Sequence, residues 1–296
     1  MPAPSKTQIA ILGSEGQLGS ALGRILGERR ALMLSRAQLD ITNANQVQQI
    51  LSSHDLAAVI NCAAYTKVDL AEQEQALCQA INADAVALLA EACNRHDLPL
   101  VQVSSDYVFG ADTTRTTPYS EEDPTGPQGV YAQSKLDGER AAATSKRHLI
   151  IRTCGLYGPR SRPTQANFVD TMLRLGKDRD RLRIVADQRC TPSYFEDVAV
   201  ALLFLLEAGA NGVFHVVNTG SVTWDQFAAE IFRLAGMSVT IEPISTAEYG
   251  AAAARPAYSV LDTTKYQRFA SLHGGPELRP WGDALADYLS RIAKPA

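Results

Sequence analysis

Tyr131 and Lys135 stand four residues apart in the stretch YAQSK, and no other tyrosine in the chain has a lysine at that spacing. One helical turn separates them, so both side chains share a face. A phenol ordinarily ionises near pH 10, and a neighbouring ammonium lowers that value, so the pair has the makings of a proton donor. The spacing alone is weak, because Tyr-x-x-x-Lys arises by chance in roughly one in four chains of this composition. Two upstream stretches give it weight. LPLVQVSS ends in Ser104 and Ser105, followed by Asp106, and GSEGQLG follows the first apolar run.

Gly13, Gly16 and Gly19 in GSEGQLG lie between a short strand, QIAIL, and a helix expected from about Gln17 to Gly27. Glycines there let the backbone turn tightly and approach a phosphate, while the helix N-terminus offers N–H groups to it. The spacing is G-x-x-G-x-x-G rather than G-x-G-x-x-G. It is the strand before and the helix after that distinguish it from an ordinary glycine-rich turn. Strand two ends at Ser35-Arg36 without the acidic residue that would hold a ribose 2′-hydroxyl; an arginine suits a 2′-phosphate better. The expected cofactor is therefore NADP(H) or NAD(H), with NADP(H) slightly favoured through Arg36; the plain alternative is a solvated arginine. Asp40, in the LDIT turn with Ile41, is placed beside the adenine. Glu15, Gln17, Leu18 and Ser104 complete the expected cofactor contacts.

These residues need elements to position them. Apolar runs at 8–12, 31–35, 57–61, 98–105 and 148–153 alternate with helical stretches at 17–27, 43–53, 72–96 and 131–145. In the long helix 72–96, Leu77, Ile81, Leu88 and Leu89 form one apolar face. Near-continuous apolar strands separated by helices indicate an α/β fold, a Rossmann-type doubly wound parallel sheet covered on both faces. Ligands bind such sheets at the carboxyl ends of the strands, which brings Ser105, Asp106 and the Tyr131 helix to one cleft. Hydride addition to a ketone builds charge on oxygen; Ser105 would polarise that carbonyl, Tyr131 protonate it, and Lys135 also bind the nicotinamide ribose. After Leu156 the rhythm changes to Pro-, Gly- and Arg-rich stretches (YGPRSRPTQ, GAAAARPAY), helices and one further strand, GVFHVVN. The expected division is an NAD(P)-binding domain at 1–155 with later contributions from about 188–220. A smaller interleaved substrate-binding domain would use 156–187 and 221–296.

A net charge of -4, with 46% hydrophobic and 20% charged residues, is that of a soluble globular protein and argues against nucleic acid or an anionic membrane as partner. The longest apolar run, Val198 to Leu206, is about half a membrane span. MPAPSKTQ lacks a signal-peptide core and reads as a short lead-in. Cys62, Cys78, Cys93, Cys154 and Cys190 form an odd set without a CxxC pair, which suggests free buried thiols in a reducing cytoplasm.

GSEGQLG, Tyr-x-x-x-Lys and the long C-terminal part resemble the extended short-chain dehydrogenase/reductase family. More narrowly, LDIT, NCAAYTKVDLAE, SSDYVF, YAQSKLDGE, NFVDTMLRLG, RPAYSVLDTTKY and LRPWGDALADYL resemble the dTDP-4-dehydrorhamnose reductases, from end to end of the chain. The resemblance implies NAD(P)H-dependent reduction of the 4-keto group of a nucleotide-linked 6-deoxysugar, a nucleotide-sugar substrate and a possible homodimer. By position it makes Tyr131 the acid, Lys135 its partner, and Ser105 with Asp106 the neighbouring polar pair. Ala63, Ala64 and Tyr65 would line the cofactor, and Val68, Asp69, Asn167 and Arg255 would lie toward the sugar nucleotide. Departures bear on the sugar. RTCGLYG has Gly155 where the family usually has a tryptophan wall, so the pocket should be roomier or filled from elsewhere. Ser105 stands in place of threonine, and Ala132 and Cys190 replace frequent glycines. Some members bind magnesium through acidic residues at a dimer contact; Glu196 matches one, but Ala21 stands at another, so no required metal is expected. Two other readings remain open: an epimerase or dehydratase on the same scaffold, and a non-catalytic NADP-binding subunit like that of methionine adenosyltransferase.

Overall fold

The computed structural model describes residues 8–159, 162 and 166–293; the expected lead-in at 1–7 and most of the stretch after Gly158 lie outside the described residues. The first five strands are β1 (Gln8–Leu12), β2 (Ala31–Leu34), β3 (Leu56–Asn61), β4 (Leu100–Ser105) and β5 (His148–Thr153). Helices α1 (Gln17–Leu26) and α2 (Ala44–Ser53) join the first three. Between β3 and β4 lie α3 (Val68–Ala71), α4 (Gln75–Gln79) and α5 (Ala85–His96), and α6 (Val130–Ala142) precedes β5. The chain continues through β6 (Leu156–Tyr157), α7 (Phe168–Asp178), β7 (Arg181–Val185), β8 (Arg189–Cys190) and β9 (Ser193–Tyr194). Then come α8 (Phe195–Glu207), β10 (Gly212–His215), β11 (Val222–Thr223), α9 (Trp224–Leu234), β12 (Thr240–Ile244), α10 (Thr246–Tyr249), α11 (Thr264–His273) and α12 (Trp281–Ala293).

Six strands pair in parallel in the order β10-β5-β4-β3-β1-β2. Alternate residues of β1 serve opposite faces, as the period of two requires. Ile9 and Ile11 pack with Leu18 and Leu22 of α1 and Val198 and Leu202 of α8. Ala10 and Leu12 pack with Val47 of α2 and Val86 and Leu89 of α5. Each such buried valine, leucine or isoleucine side chain stabilises the fold by roughly 1.5–3 kcal/mol. From β1 the chain runs outward to β2 and then returns to the other side as β3. The strand order therefore reverses between β1 and β3 and opens a crevice at their carboxyl ends.

The single helix expected at 72–96 is broken. A π turn at Ala80–Asp84 separates α4 from α5, and an extra residue in one turn rotates the buried face. Cys78, Asn82, Val86, Leu89 and Cys93 are buried, whereas Leu77 is 44% exposed at the cleft rather than on the apolar face. By length and composition Gln75–His96 is apolar enough to cross a membrane, but half of that window is buried inside the fold. GVFHVVN pairs as a strand only as far as His215, where it adds to the edge of the main sheet beside β5. A further core gathers Tyr157, Val169, Ile184, Phe227 and Tyr288 from the elements after β5.

Candidate functional site

The glycine loop is built for close approach. Gly13 directly follows β1 with φ 70°, and a Cβ there would lie 2.7 Å from Cα of Ala63 on the neighbouring β3 connection. A Cβ on Gly19 would lie 2.6 Å from the Gly13 carbonyl oxygen. Side chains are therefore excluded from the point where loop, helix and β3 meet. Helix α1 starts at Gly16 with no side-chain cap and no acidic residue in its first turn, which leaves its positive end facing the crevice. The residues present fit a dinucleotide: a cleft of about 910 Å³ runs from this loop past Arg36, Ala63 and Ala64 to Ser105, Tyr131 and Lys135.

At the far end, β4 delivers Ser104, Ser105 and Asp106, and α6 delivers Tyr131 and Lys135. Lys135 Nζ donates to the Val103 carbonyl at 2.7 Å, and burial lowers its pKa to about 8. Burial also lifts Tyr131 above the ordinary phenol value, against a hydrogen bond with Ser105 that lowers it. This differs from the expectation that Lys135 holds the phenol low. Desolvation is the largest influence on the phenol, and the Lys135 ammonium gives its hydrogen bond to a backbone carbonyl instead. A phenol that stays protonated is the form a proton donor needs. Ser105 Oγ donates to Asp106 Oδ1 at 3.0 Å, and Ser259 Oγ donates to Asp106 Oδ2 at 2.6 Å. Burial raises the Asp106 carboxyl, opposed by hydrogen bonds from Ser259, Cys154 and Ser105.

Of the residues expected at the cofactor, Gly13, Glu15, Gly16, Gln17, Leu18, Gly19, Arg36, Asp40, Ile41, Ala63, Ala64 and Ser104 line the cleft. Asp40 Oδ1 is held by Thr42, which keeps its carboxyl below the usual range. Tyr65 is not brought into the cleft. Its hydroxyl donates to Glu74 at 2.7 Å, and Asn82 accepts from its backbone N–H. Of those expected at the sugar nucleotide, Asn167 lines the cleft while capping α7 and donating to the Gly158 carbonyl. Val68 and Asp69 sit on α3 outside it, and Asp69 forms a two-armed ion pair with Arg255 at 3.0 and 2.8 Å. Glu196 pairs with Arg24 and Arg291, and among the described residues no group of three or more His, Cys, Asp or Glu could hold a metal.

Several site residues escaped the sequence reading. Ser259 lies inside the quoted RPAYSVLDTTKY, yet nothing local reveals that it reaches Asp106. Thr153 lines the cleft with its hydroxyl buried and unpartnered, and only its place at the end of a strand hinted at this. Asn82 ties Tyr65 to Ser134 from within the π turn. The space beside Gly155 is filled by Trp224 and Pro192.

Comparison with known proteins agrees with this geometry. A dTDP-4-dehydrorhamnose reductase of Streptomyces griseus is 38% identical over 287 residues, covering 94% of this chain and 91% of its own. A probable dTDP-4,6-dihydroxy-2-methyloxan-3-one 4-ketoreductase of Streptomyces antibioticus is 37% identical over 283 residues, covering 94% and 92%. The crystal structure of a Bacillus anthracis dTDP-4-dehydrorhamnose reductase in complex with NADP superposes with a TM-score of 0.89 at 38% identity, covering 96% of this chain and 99% of that one. The family model described as RmlD substrate binding domain matches residues 7–294. With the glycine cradle, the Tyr131–Lys135 helix and the second core all inside that match, the chain belongs to the RmlD substrate-binding-domain family.

Proposed function

We propose that this chain reduces the 4-keto group of a dTDP-linked 6-deoxysugar with NADPH, as a dTDP-4-dehydrorhamnose reductase. The observation that carries the reading is the meeting of Ser105, Tyr131 and Lys135 in one cleft with the glycine loop. The glycine loop, Arg36 and Lys135 would hold the dinucleotide, and its nicotinamide would supply the hydride for the carbonyl carbon. With its one hydroxyl proton turned from Asp106 Oδ1 toward the substrate, Ser105 donates a hydrogen bond to the carbonyl oxygen, and Tyr131 gives its phenolic proton to that oxygen as charge develops. Lys135 holds positive charge beside the phenol, stabilising the phenolate left behind. Arg36, exposed at the cleft rim with no acidic residue on its turn, is assigned to the 2′-phosphate. The domain division at 155 and 188–220 is assigned on the same basis: α8 and β10 complete the first cores, while the elements around Phe227 would carry the sugar nucleotide. A soluble nucleotide-sugar substrate and a soluble dinucleotide support a cytoplasmic location.

Against a dehydratase, the position after Asp106 is Tyr107, whose ring meets Tyr131 edge-on at 5.8 Å, and both Asp106 oxygens are already bonded. NADPH consumption with a dTDP-4-keto-6-deoxysugar tests the proposal. Tyr131→Phe should lower turnover by roughly a hundredfold or more, the range of a lost general acid, with NADPH affinity unchanged. A wild-type chain that binds NADPH without turnover would leave only the non-catalytic reading.

A further inference from the structure

Thr153 closes β5 within the cleft, beside Cys154, Gly155 and Leu156. It is 5% exposed, and among the described residues no donor or acceptor meets its hydroxyl. A buried hydroxyl without a partner costs the empty protein free energy. Valine has nearly the same shape, suits a strand at least as well, and would avoid that cost. The hydroxyl therefore calls for a partner that the chain itself does not supply. Strand register says where that partner lies. Val101, Val103 and Ser105 of β4 pair with Leu149, Ile151 and Thr153 of β5. The four aliphatic members pack in one core, so the period of two turns Ser105 and Thr153 to that same side of the sheet. Arg152, one residue earlier, faces the other way toward Glu139. Thr153 thus stands one strand spacing, about 4.8 Å, from Ser105.

The other end of the cleft is already assigned, the diphosphate to Gly13 and α1 and the 2′-phosphate to Arg36. Both lie on the β1–β2 side, and β5 is three strands away from β1. A dinucleotide laid across the crevice therefore brings its nicotinamide toward β4 and β5. Given that cofactor reading, on which this rests, we propose that Thr153 binds the nicotinamide carboxamide and sets the rotation of the ring. A carboxamide offers an acceptor oxygen and two N–H donors, and a hydroxyl can answer either. No other group on the ring makes such bonds. The reacting carbonyl does not need Thr153, because Ser105 and Tyr131 already serve it. Held by its carboxamide, the ring cannot turn about its bond to the ribose. One face is then kept toward the sugar.

The test is calorimetric titration of the full chain with NADPH and with 2′-phospho-ADP-ribose, the same molecule without its nicotinamide. Binding of NADPH by the wild-type chain checks the cofactor reading separately. Thr153→Val should weaken NADPH about five- to tenfold, the scale of one net hydrogen bond, and leave the ribose fragment within about twofold. Thr153→Ser keeps the hydroxyl and should hold NADPH within about twofold of wild type. Without ligand, the valine variant should melt at the wild-type temperature or above it, because an unsatisfied hydroxyl has been removed. Equal weakening of both ligands, or a lower melting temperature with unchanged NADPH affinity, would mark a merely structural threonine and overturn the proposal. So would an unchanged NADPH affinity with a raised KM for the sugar, which would give the hydroxyl to the substrate instead. If the valine variant does not fold, Thr153→Ala carries the same comparison, and failure of both to fold overturns the proposal as well.

Discussion

Lys135 is a lysine whose charge the fold disfavours, and the direction of that effect can be read in a pH profile. Its value of about 8 lies below the ordinary 10.5 because burial penalises the ammonium. The stability penalty is therefore complete below about pH 8 and is relieved as pH rises from 8 toward 10.5, where the unfolded chain still holds the proton and the folded chain does not. Activity runs the other way. Keto reduction should decline as pH rises through about 8, when the charge beside Tyr131 is lost, and Lys135→Arg should move that descending limb to higher pH in kcat measurements. Tyr131, Lys135 and Ser105 were legible because each lies in a short motif whose spacing survives without knowledge of the fold. Asp69 and Arg255, both expected toward the sugar, pair with each other across 186 positions of sequence. No local pattern encodes such a partner.

At the scale of elements, the glycine loop is where sequence and packing agree most closely. The strand before it and the helix after it were foreseen almost to the residue. Gly19→Ala puts a Cβ 2.6 Å from the Gly13 carbonyl oxygen and 2.9 Å from Cα of Ser14. Both are backbone atoms, so the loop itself must shift, at a cost of roughly 1–3 kcal/mol for such overpacking. Calorimetric titration should show NADPH binding weakened about tenfold or more, with the circular dichroism of the folded chain retained. The helix after β3 was less legible. Hydrophobic periodicity cannot reveal a π turn, since the inserted residue leaves apolar positions on either side of it intact. Asn82, a buried amide in the middle of an apolar run, was the available signal: its hydrogen bonds to the Tyr65 backbone and Ser134 account for the break.

Across the whole molecule, the main sheet depends on one buried charge pair beneath the site. Glu139 of α6 takes two hydrogen bonds from Arg152 of β5, at 2.9 and 2.7 Å, and a third from Ser104 at 2.6 Å. Both ionic side chains are 5% exposed. His215 of β10 lies 3.4 Å from the same guanidinium, and burial, then the Arg152 charge, lowers its pKa to about 3. Removing one partner of a buried pair strands the other, so Glu139→Ala should destabilise the chain by about 3–5 kcal/mol in urea unfolding. The same change loosens Ser104 at the cleft.

Arg152 also shows how the two halves are sewn together. The strand that carries it feeds directly into β6 and the second core, and the chain later returns through α8 and β10 to finish the first sheet. No single cut in the sequence releases either half with its interior intact. A fragment ending at residue 155 would lack α8 and β10, baring the apolar flank of Ile9, Leu22 and Ile151. Evolution could therefore exchange the segments of the second core piecemeal, as insertions between sheet elements, but could not swap them as a detachable block.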